Sequence, residues 1–252
     1  MMPDPGSSRW APAGGRAGDI GPVAPRAARP RGSMEGMLWL TSDFHFGHQN
    51  ICRYAGRPFP PGEAGVPAMN DALVRAFNAV VAPRDDVWIL GDVAMGRLDK
   101  SLARVGELNG RKILVSGNHD RCWPGLGAQA DGWTGRYLAA GFSQVLPGSA
   151  LAAPPATLTL AGQQVLVSHF PYAGGGDSHG GDRFEEHRLL DQGSWLLCGH
   201  VHQSWRQRGR MINVGVDAWG GLPVPQAQLV ELIQAGPQDR DVLPWKLTQP
   251  QT

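Results

Sequence analysis

Five short apolar runs in this 252-residue chain end, within a residue or two, in side chains that bind cations. MLWLTS runs into Asp43-Phe44-His45, VWILG into Asp92, and KILVSG into Asn118-His119-Asp120; QVLVS runs into His169, and WLLCG into His200-Val201-His202. Carboxylate, amide and imidazole are hard-to-borderline donors suited to divalent metal ions. Each fragment alone is weak, since a lone D-x-H, or a lone His after a strand, is more often loop chemistry or a hydrogen-bonded histidine. Together, with His48 included, they hold six of the chain's eight histidines. Packing alone gives no reason for such groups at strand tips, because burying them unpaired costs several kcal/mol; metal coordination removes that cost. The D-x-H and H-x-H spacings let alternate residues leave a strand end toward one side.

The elements that must position these residues follow from the apolar pattern. MLWL at 37–40, VWIL at 87–90, KILV at 112–115, QVLV at 164–167 and WLLC at 195–198 are continuous runs, which suits strands buried on both faces. Between the first of them Met69, Leu73, Phe77 and Val80 fall at helical spacing, with Asn70 or Asp71 placed to cap the start. Leu98, Leu102, Val105 and Leu108 predict a second helix, with Gly110 where a C-terminal cap belongs. Strand–helix alternation implies a mostly parallel sheet, whose carboxyl ends share one rim. The second half is richer in β signals: a hairpin over 158–167, a short helix in DRFEEHRLL with Asp182 and Glu185 at capping-box spacing, and a Gly209 turn joining two strands in WRQRGRMINV. The reading is an α/β fold built as a two-sheet sandwich.

D-x-H, G-D, G-N-H-D, a lone His and G-H-x-H, in this order, resemble the calcineurin-like metallophosphoesterase superfamily. WLTSDFHFGHQNI and INVGVDAW are also similar to a bacterial and phage subgroup of small phosphoesterases. The similarity spans roughly 37 to 225. It implies a two-sheet β-sandwich flanked by helices, in four layers α/β/β/α, and two divalent metal ions (Mn, Fe or Zn). By that resemblance Asp43, His45 and His202 hold one ion; Asn118, His169 and His200 hold the other; Asp92 bridges both. A metal-bridging hydroxide then attacks phosphorus while His119 protonates the leaving oxygen, and Asp120 accepts from the far imidazole nitrogen of His119 and orients it. Two cations about 3.5–4 Å apart are the arrangement used in two-metal phosphoryl hydrolysis.

Several other residues carry two readings each. His48 either touches substrate or makes a loop hydrogen bond. Arg53 and Arg57 either clamp phosphate as planar donors or stand as exposed loop arginines. Arg206, Arg208 and Arg210 beside Trp205 form a basic strand face, for a nucleic-acid backbone or for solvent. Trp123 and Trp133 either stack on a base or pack in the core, and His187 fits a helix surface. His179, in AGGGDSHGGDR, lies in a loop that is either a substrate lid or disordered.

Composition bounds the rest. Lys plus Arg is 23 against 22 for Asp plus Glu, a net charge of +1, which excludes a broadly basic nucleic-acid binder but not a local phosphate site. Cys52, Cys122 and Cys198 form no C-x-x-C pair, so neither a disulfide framework nor a zinc knuckle is expected, and a cytoplasmic setting is the simplest reading. No apolar run approaches the roughly 18 residues of a membrane span. Residues 1–36 are rich in Pro, Gly and Arg and are expected to be a disordered extension. Residues 37–235 form the metallophosphoesterase domain and 236–252 a C-terminal tail. The expected activity is hydrolysis of a small phosphomonoester or phosphodiester without a phosphoenzyme, there being no C-x5-R or G-x-S-x-G. A nuclease acting on nucleic-acid ends through the same site is an alternative, and so is a catalytically silent metal-binding scaffold. The oligomeric state is open.

Overall fold

The apolar runs form the strands they predict, and helices or turns fill the intervals. The computed structural model describes residues 36–149, 154–174 and 183–247. The extension 1–36 apart from Gly36, the loop holding His179, and residues 248–252 lie outside the described residues. In chain order the elements are β1 (Leu38–Thr41), α1 (Ile51–Tyr54), α2 (Val66–Val80), β2 (Asp86–Ile89), α3 (Leu98–Ser101), β3 (Arg111–Val115), α4 (Trp133–Ala139), β4 (Phe142–Leu146), β5 (Ala156–Leu160), β6 (Gln163–Val167), β7 (Leu196–Cys198), β8 (Gln207–Arg208), β9 (Met211–Asn213), β10 (Val224–Pro225) and α5 (Gln226–Ala235). They build two five-stranded sheets, in orders β10-β1-β2-β3-β4 and β5-β6-β7-β9-β8. In the first, β1 to β4 run parallel and β10 closes the edge antiparallel. In the second, β6, β7 and β9 are parallel between antiparallel partners β5 and β8. This is the expected two-sheet sandwich flanked by helices.

Period-two alternation places neighbouring side chains of one strand in different cores. Trp39, Val87, Ile89 and Leu114 face α2, where Met69, Leu73 and Phe77 pack. Leu40, Leu90 and Val115 face the second sheet, meeting Val165, Val167, Leu197 and Ile212. Leu196 and Cys198 point to the outer side of the second sheet, under Val201 and Trp205. Both sheets are thus apolar on two faces, which is why the runs lack a polar phase.

Local chemistry explains where the helices differ from expectation. α2 starts at Val66 with Pro67 in its first turn, not at Asn70, whose amide oxygen instead accepts the Gly47 N–H at 3.3 Å. The second predicted helix is α-helical only over α3 and tightens to a 3-10 helix over Leu102–Glu107, a stretch holding β-branched Val105 and Gly106. DRFEEHRLL keeps one 3-10 turn, Glu185–His187, and Asp182 is outside the described residues. The β5–β6 turn has positive φ at Ala161 (51°) and Gly162 (76°), the two-residue turn that matches strand twist.

The segment set apart as a C-terminal tail is laid across the domain over 236–247. Leu243 N–H donates to Ala218 O and Lys246 N–H to Gly220 O, both at 3.0 Å, and Trp245 lies over the Arg57 guanidinium. Among the described residues no helix is long and apolar enough to cross a membrane.

Candidate metal centre

The chain leaves β1, β2 and β7 through turns that no ordinary side chain favours. Asp43, His45, Asp92, His200 and His202 all have positive φ, between 45° and 70°. Asp, Asn and His enter this region most readily among non-glycine residues, at a cost of about 1–3 kcal/mol each. The turns aim all five side chains at one rim. There Asp43, His45 and His202 each offer a ligand atom within 4.8 Å of the others, as do Asp92, His169 and His200. Asn118 joins the second cluster, its Oδ1 3.0 Å from His169 Nε2. Asp92 stands between them: Oδ2 lies 3.5 Å from His45 Nε2, and Oδ1 lies 3.5 Å from His169 Nε2.

Neighbouring groups set the tautomer of three histidines. His169 Nδ1 lies 2.7 Å from Leu90 O, His202 Nδ1 2.8 Å from Asp217 Oδ2, and His45 Nδ1 3.3 Å from Met95 Sδ. Carbonyl, carboxylate and thioether can only accept, so each Nδ1 carries the hydrogen and each Nε2 presents a lone pair to the rim. His45 Nε2 is buried and has no hydrogen-bond partner. An orphaned imidazole lone pair facing carboxylates, in a donor set of nitrogen and oxygen only, fits a divalent cation.

Electrostatics agree. Burial pushes the Asp43 carboxyl above its usual value, and His202 and His169 only partly offset this. Burial lowers His45 well below the ordinary imidazole range and takes His200 down to about 3, so both are neutral donors. His48 is pushed down to about 4, by burial first and by positive charge at His119 and Arg57 next. Its ring centroid is 5.3 Å from that of His45, so it sits at the rim beside the first cluster.

The glycines of the motifs are spacing devices. A Cβ on Gly117 would strike Asp92 Oδ1 and lie 2.7 Å from His169 Nδ1; one on Gly199 would strike Ser42 Oγ and lie 2.7 Å from Asp43 Oδ2. The Asp92–His169 approach therefore requires Gly117.

His119 is on the rim and exposed, with its N–H donating to Asp92 Oδ1 at 2.9 Å and its Nε2 4.0 Å from Asp92 Oδ2. Asp120 does not orient it. Buried completely, its carboxylate accepts from the N–H groups of Asp92 (2.9 Å), Val93 (3.1 Å) and Gly117 (2.8 Å), and from Tyr137 Oη (3.3 Å). It ties the Asp92 turn to the Asn118 turn. Burial, then the neighbouring Asp92, pushes its carboxyl up to about 6.

Arg57 is a buried tie and not a phosphate clamp. Its side chain is fully buried, donates to Asp43 O and Phe44 O, and pairs with Asp217, so it cannot reach a substrate. Arg53 is exposed on α1. The basic strand face is divided: Arg206 is half-buried and stacks over Trp219, while Arg208 and Arg210 are exposed, Arg210 lying over Trp195. Trp123 is buried against Phe170, Phe184 and His187, and Trp133 packs on the first core under Arg136; neither is free to stack on a base. The same contact turns His187 inward.

Sequence reasoning missed two residues that hold ligand-bearing side chains. Asp217 lies inside INVGVDAW, a stretch whose resemblance assigns it no role. Burial alone would raise its carboxyl, but the Arg57 charge and the His202 hydrogen bond outweigh burial and hold it below the usual value. Met95 had no signal, a methionine after a strand being ordinary core.

Known proteins place the chain. Residues 37–204 match the calcineurin-like phosphoesterase family. The Gene 66 protein of Mycobacterium phage L5 is 34% identical over 203 residues, covering 77% of this chain and 93% of the phage protein. Its counterpart in Mycobacterium phage D29 is 35% identical over 208 residues, covering 78% and 95%. A solved structure of a protein of unknown function from Aquifex aeolicus shares the fold, with a TM-score of 0.56 at 24% identity, over 79% of this chain and 100% of that one.

Proposed function

This chain belongs to the calcineurin-like phosphoesterases, a family of metal-dependent phosphoester hydrolases, and on that premise we propose that it cleaves a small phosphomonoester or phosphodiester at a two-ion centre with His119 as general acid. Asp43, His45 and His202 would hold one divalent cation, and Asn118, His169 and His200 the other, with Asp92 shared. The observation that carries this reading is Asp92, whose two oxygens each face the Nε2 of a histidine from a different cluster at 3.5 Å. The all-nitrogen-and-oxygen donor set suits Mn, Fe or Zn. When bound, the two cations polarise the phosphoryl oxygens and lower the pKa of water at the site.

The chain's own residues do the rest. Asp217, Met95 and the Leu90 carbonyl keep three imidazoles in the ligating tautomer. Asp120 holds the two turns in register. His119, anchored through its backbone to Asp92 and open to solvent, can give a proton to a departing oxygen and recover one from water. Arg206, half-buried over Trp219, and Trp123, buried among aromatic rings, lend no support to a nucleic-acid end, so a small ester is the favoured substrate class.

The test is His119→Asn on an Mn-loaded protein, with bound metal measured. General-acid assistance contributes about 10²–10⁴-fold. An alkyl or nucleotide ester should therefore slow by that factor, while an activated nitrophenyl ester is largely spared. An equal fall in kcat/KM on both, with metals retained, would remove the general-acid role.

A further inference from the structure

A cavity of about 260 Å³ opens beside the proposed general acid. Asn118 and His119 form its side toward the metal centre; Met95, Leu98 and Leu126 form apolar walls; Arg121 supplies a cation. The Arg121 backbone is pinned by its N–H to Tyr137 Oη at 3.0 Å. Its guanidinium has no carboxylate partner among the described residues, so its charge is free for an incoming anion. A cation and the proposed general acid thus line one half-polar cavity together with three apolar side chains, a lining suited to an organic group that carries an anion.

We infer that this cavity receives the leaving alcohol, and that it selects esters whose alcohol has a compact apolar body carrying an anionic group for Arg121. The inference rests on the phosphoesterase reading, because it takes the cavity side of His119 as the side from which the alcohol departs. Cleavage breaks the bond between phosphorus and the alcohol oxygen. That oxygen takes the His119 proton, water supplies the new oxygen on phosphorus, and the second water proton goes to solvent. The alcohol thus leaves from beside His119, into the space bounded by Met95, Leu98 and Leu126.

Size limits the occupant. An apolar cavity of about 150 Å³ accepts benzene, so about 260 Å³ holds one ring or a short branched chain with a small arm. Charge limits it further. Arginine offers paired donors to a carboxylate or a phosphate, and a terminal ammonium would be repelled. Arg121 is exposed, so solvent moderates the preference to about two- to fivefold.

The experiment uses three phosphate esters whose phenols have closely similar acidity: phenyl phosphate, 4-(carboxymethyl)phenyl phosphate and 4-(2-aminoethyl)phenyl phosphate. For the Mn-loaded full chain, kcat/KM should be highest for the carboxylate and lowest for the amine. Arg121→Gln should bring the three together, and Arg121→Glu should reverse the order. Binding of the product 4-hydroxyphenylacetate, followed by calorimetry, should weaken in both variants. If Arg121→Gln changes all three esters by one factor, or if 4-hydroxyphenylacetate binds the two variants as it binds the parent, the subsite is overturned. If none of the three monoesters is cleaved while 4-hydroxyphenylacetate still binds in an Arg121-dependent way, the monoesterase reading and the leaving-alcohol role fall together, and only an anion subsite at Arg121 remains.

Discussion

Arg57 and Asp217, 160 positions apart, meet in a two-point ion pair, Nε to Oδ1 at 2.9 Å and Nη2 to Oδ2 at 3.0 Å, with both side chains at 0% exposure. Arg57 also donates to Asp43 O at 2.7 Å and Phe44 O at 2.8 Å, while Asp217 accepts from His202 Nδ1 at 2.8 Å. One buried guanidinium thus joins the first motif of the chain to the last and fixes both Asp43 and His202.

Removing that guanidinium should therefore act on folding before it acts on substrate. Arg57→Met strands a buried carboxylate and two carbonyls, for which a loss of about 3–5 kcal/mol is expected. Urea unfolding of the metal-free protein should show it. A raised KM for phosphate esters at unchanged stability would instead restore the clamp reading of Arg57.

Asp120 offers a second separation of roles. Asp120→Asn replaces one acceptor oxygen with an NH2 group facing backbone N–H donors, at a cost of about 1–3 kcal/mol and with weaker metal binding. Once metal is saturating, its residual effect should be the same on nitrophenyl and alkyl esters. A larger effect on alkyl esters would mean that Asp120 does act through His119.

The proposed sharing of Asp92 is read out by metal content. Asp92→Asn should lower occupancy at both positions, since the shared group loses its charge. His200→Ala and His202→Ala should each lose about one equivalent, and from different positions. Elemental analysis after dialysis decides this: two full equivalents in Asp92→Asn would refute the bridge, and identical metal behaviour in the two histidine variants would refute the split.

Chelation should destabilise the fold itself. Five of the proposed ligand residues are held at positive φ and several are buried beside like neighbours, so bound cations offset strain as well as charge. A ligand present at 100 times its Kd stabilises by about 2.7 kcal/mol. EDTA treatment should lower Tm by several degrees and Mn²⁺ should restore it. An unchanged Tm would show that the turns are stable without metal.

The sequence by itself determined the rim. Continuous apolar runs mark strands buried on both faces, parallel strands share a carboxyl end, and Asp, Asn and His directly after the runs must therefore gather there. The gathering of Asp43, His45, Asp92, Asn118, His169, His200 and His202 was legible because it depends only on strand direction and on the residue following each strand. What these side chains lean on was decided by tertiary structure alone. Nothing near Arg57 distinguishes an exposed clamp from a buried tie, since its partner is 160 residues away. Asp120 follows His119 in the chain, yet its carboxylate turns beneath the neighbouring strand's turn, where it accepts from three backbone N–H groups, and sequence adjacency carries no such information. Met95 and Asp217 take their roles from the imidazoles that happen to pack against them. Ligand order is a local property of strand ends; the support behind each ligand is a property of loops brought together by folding.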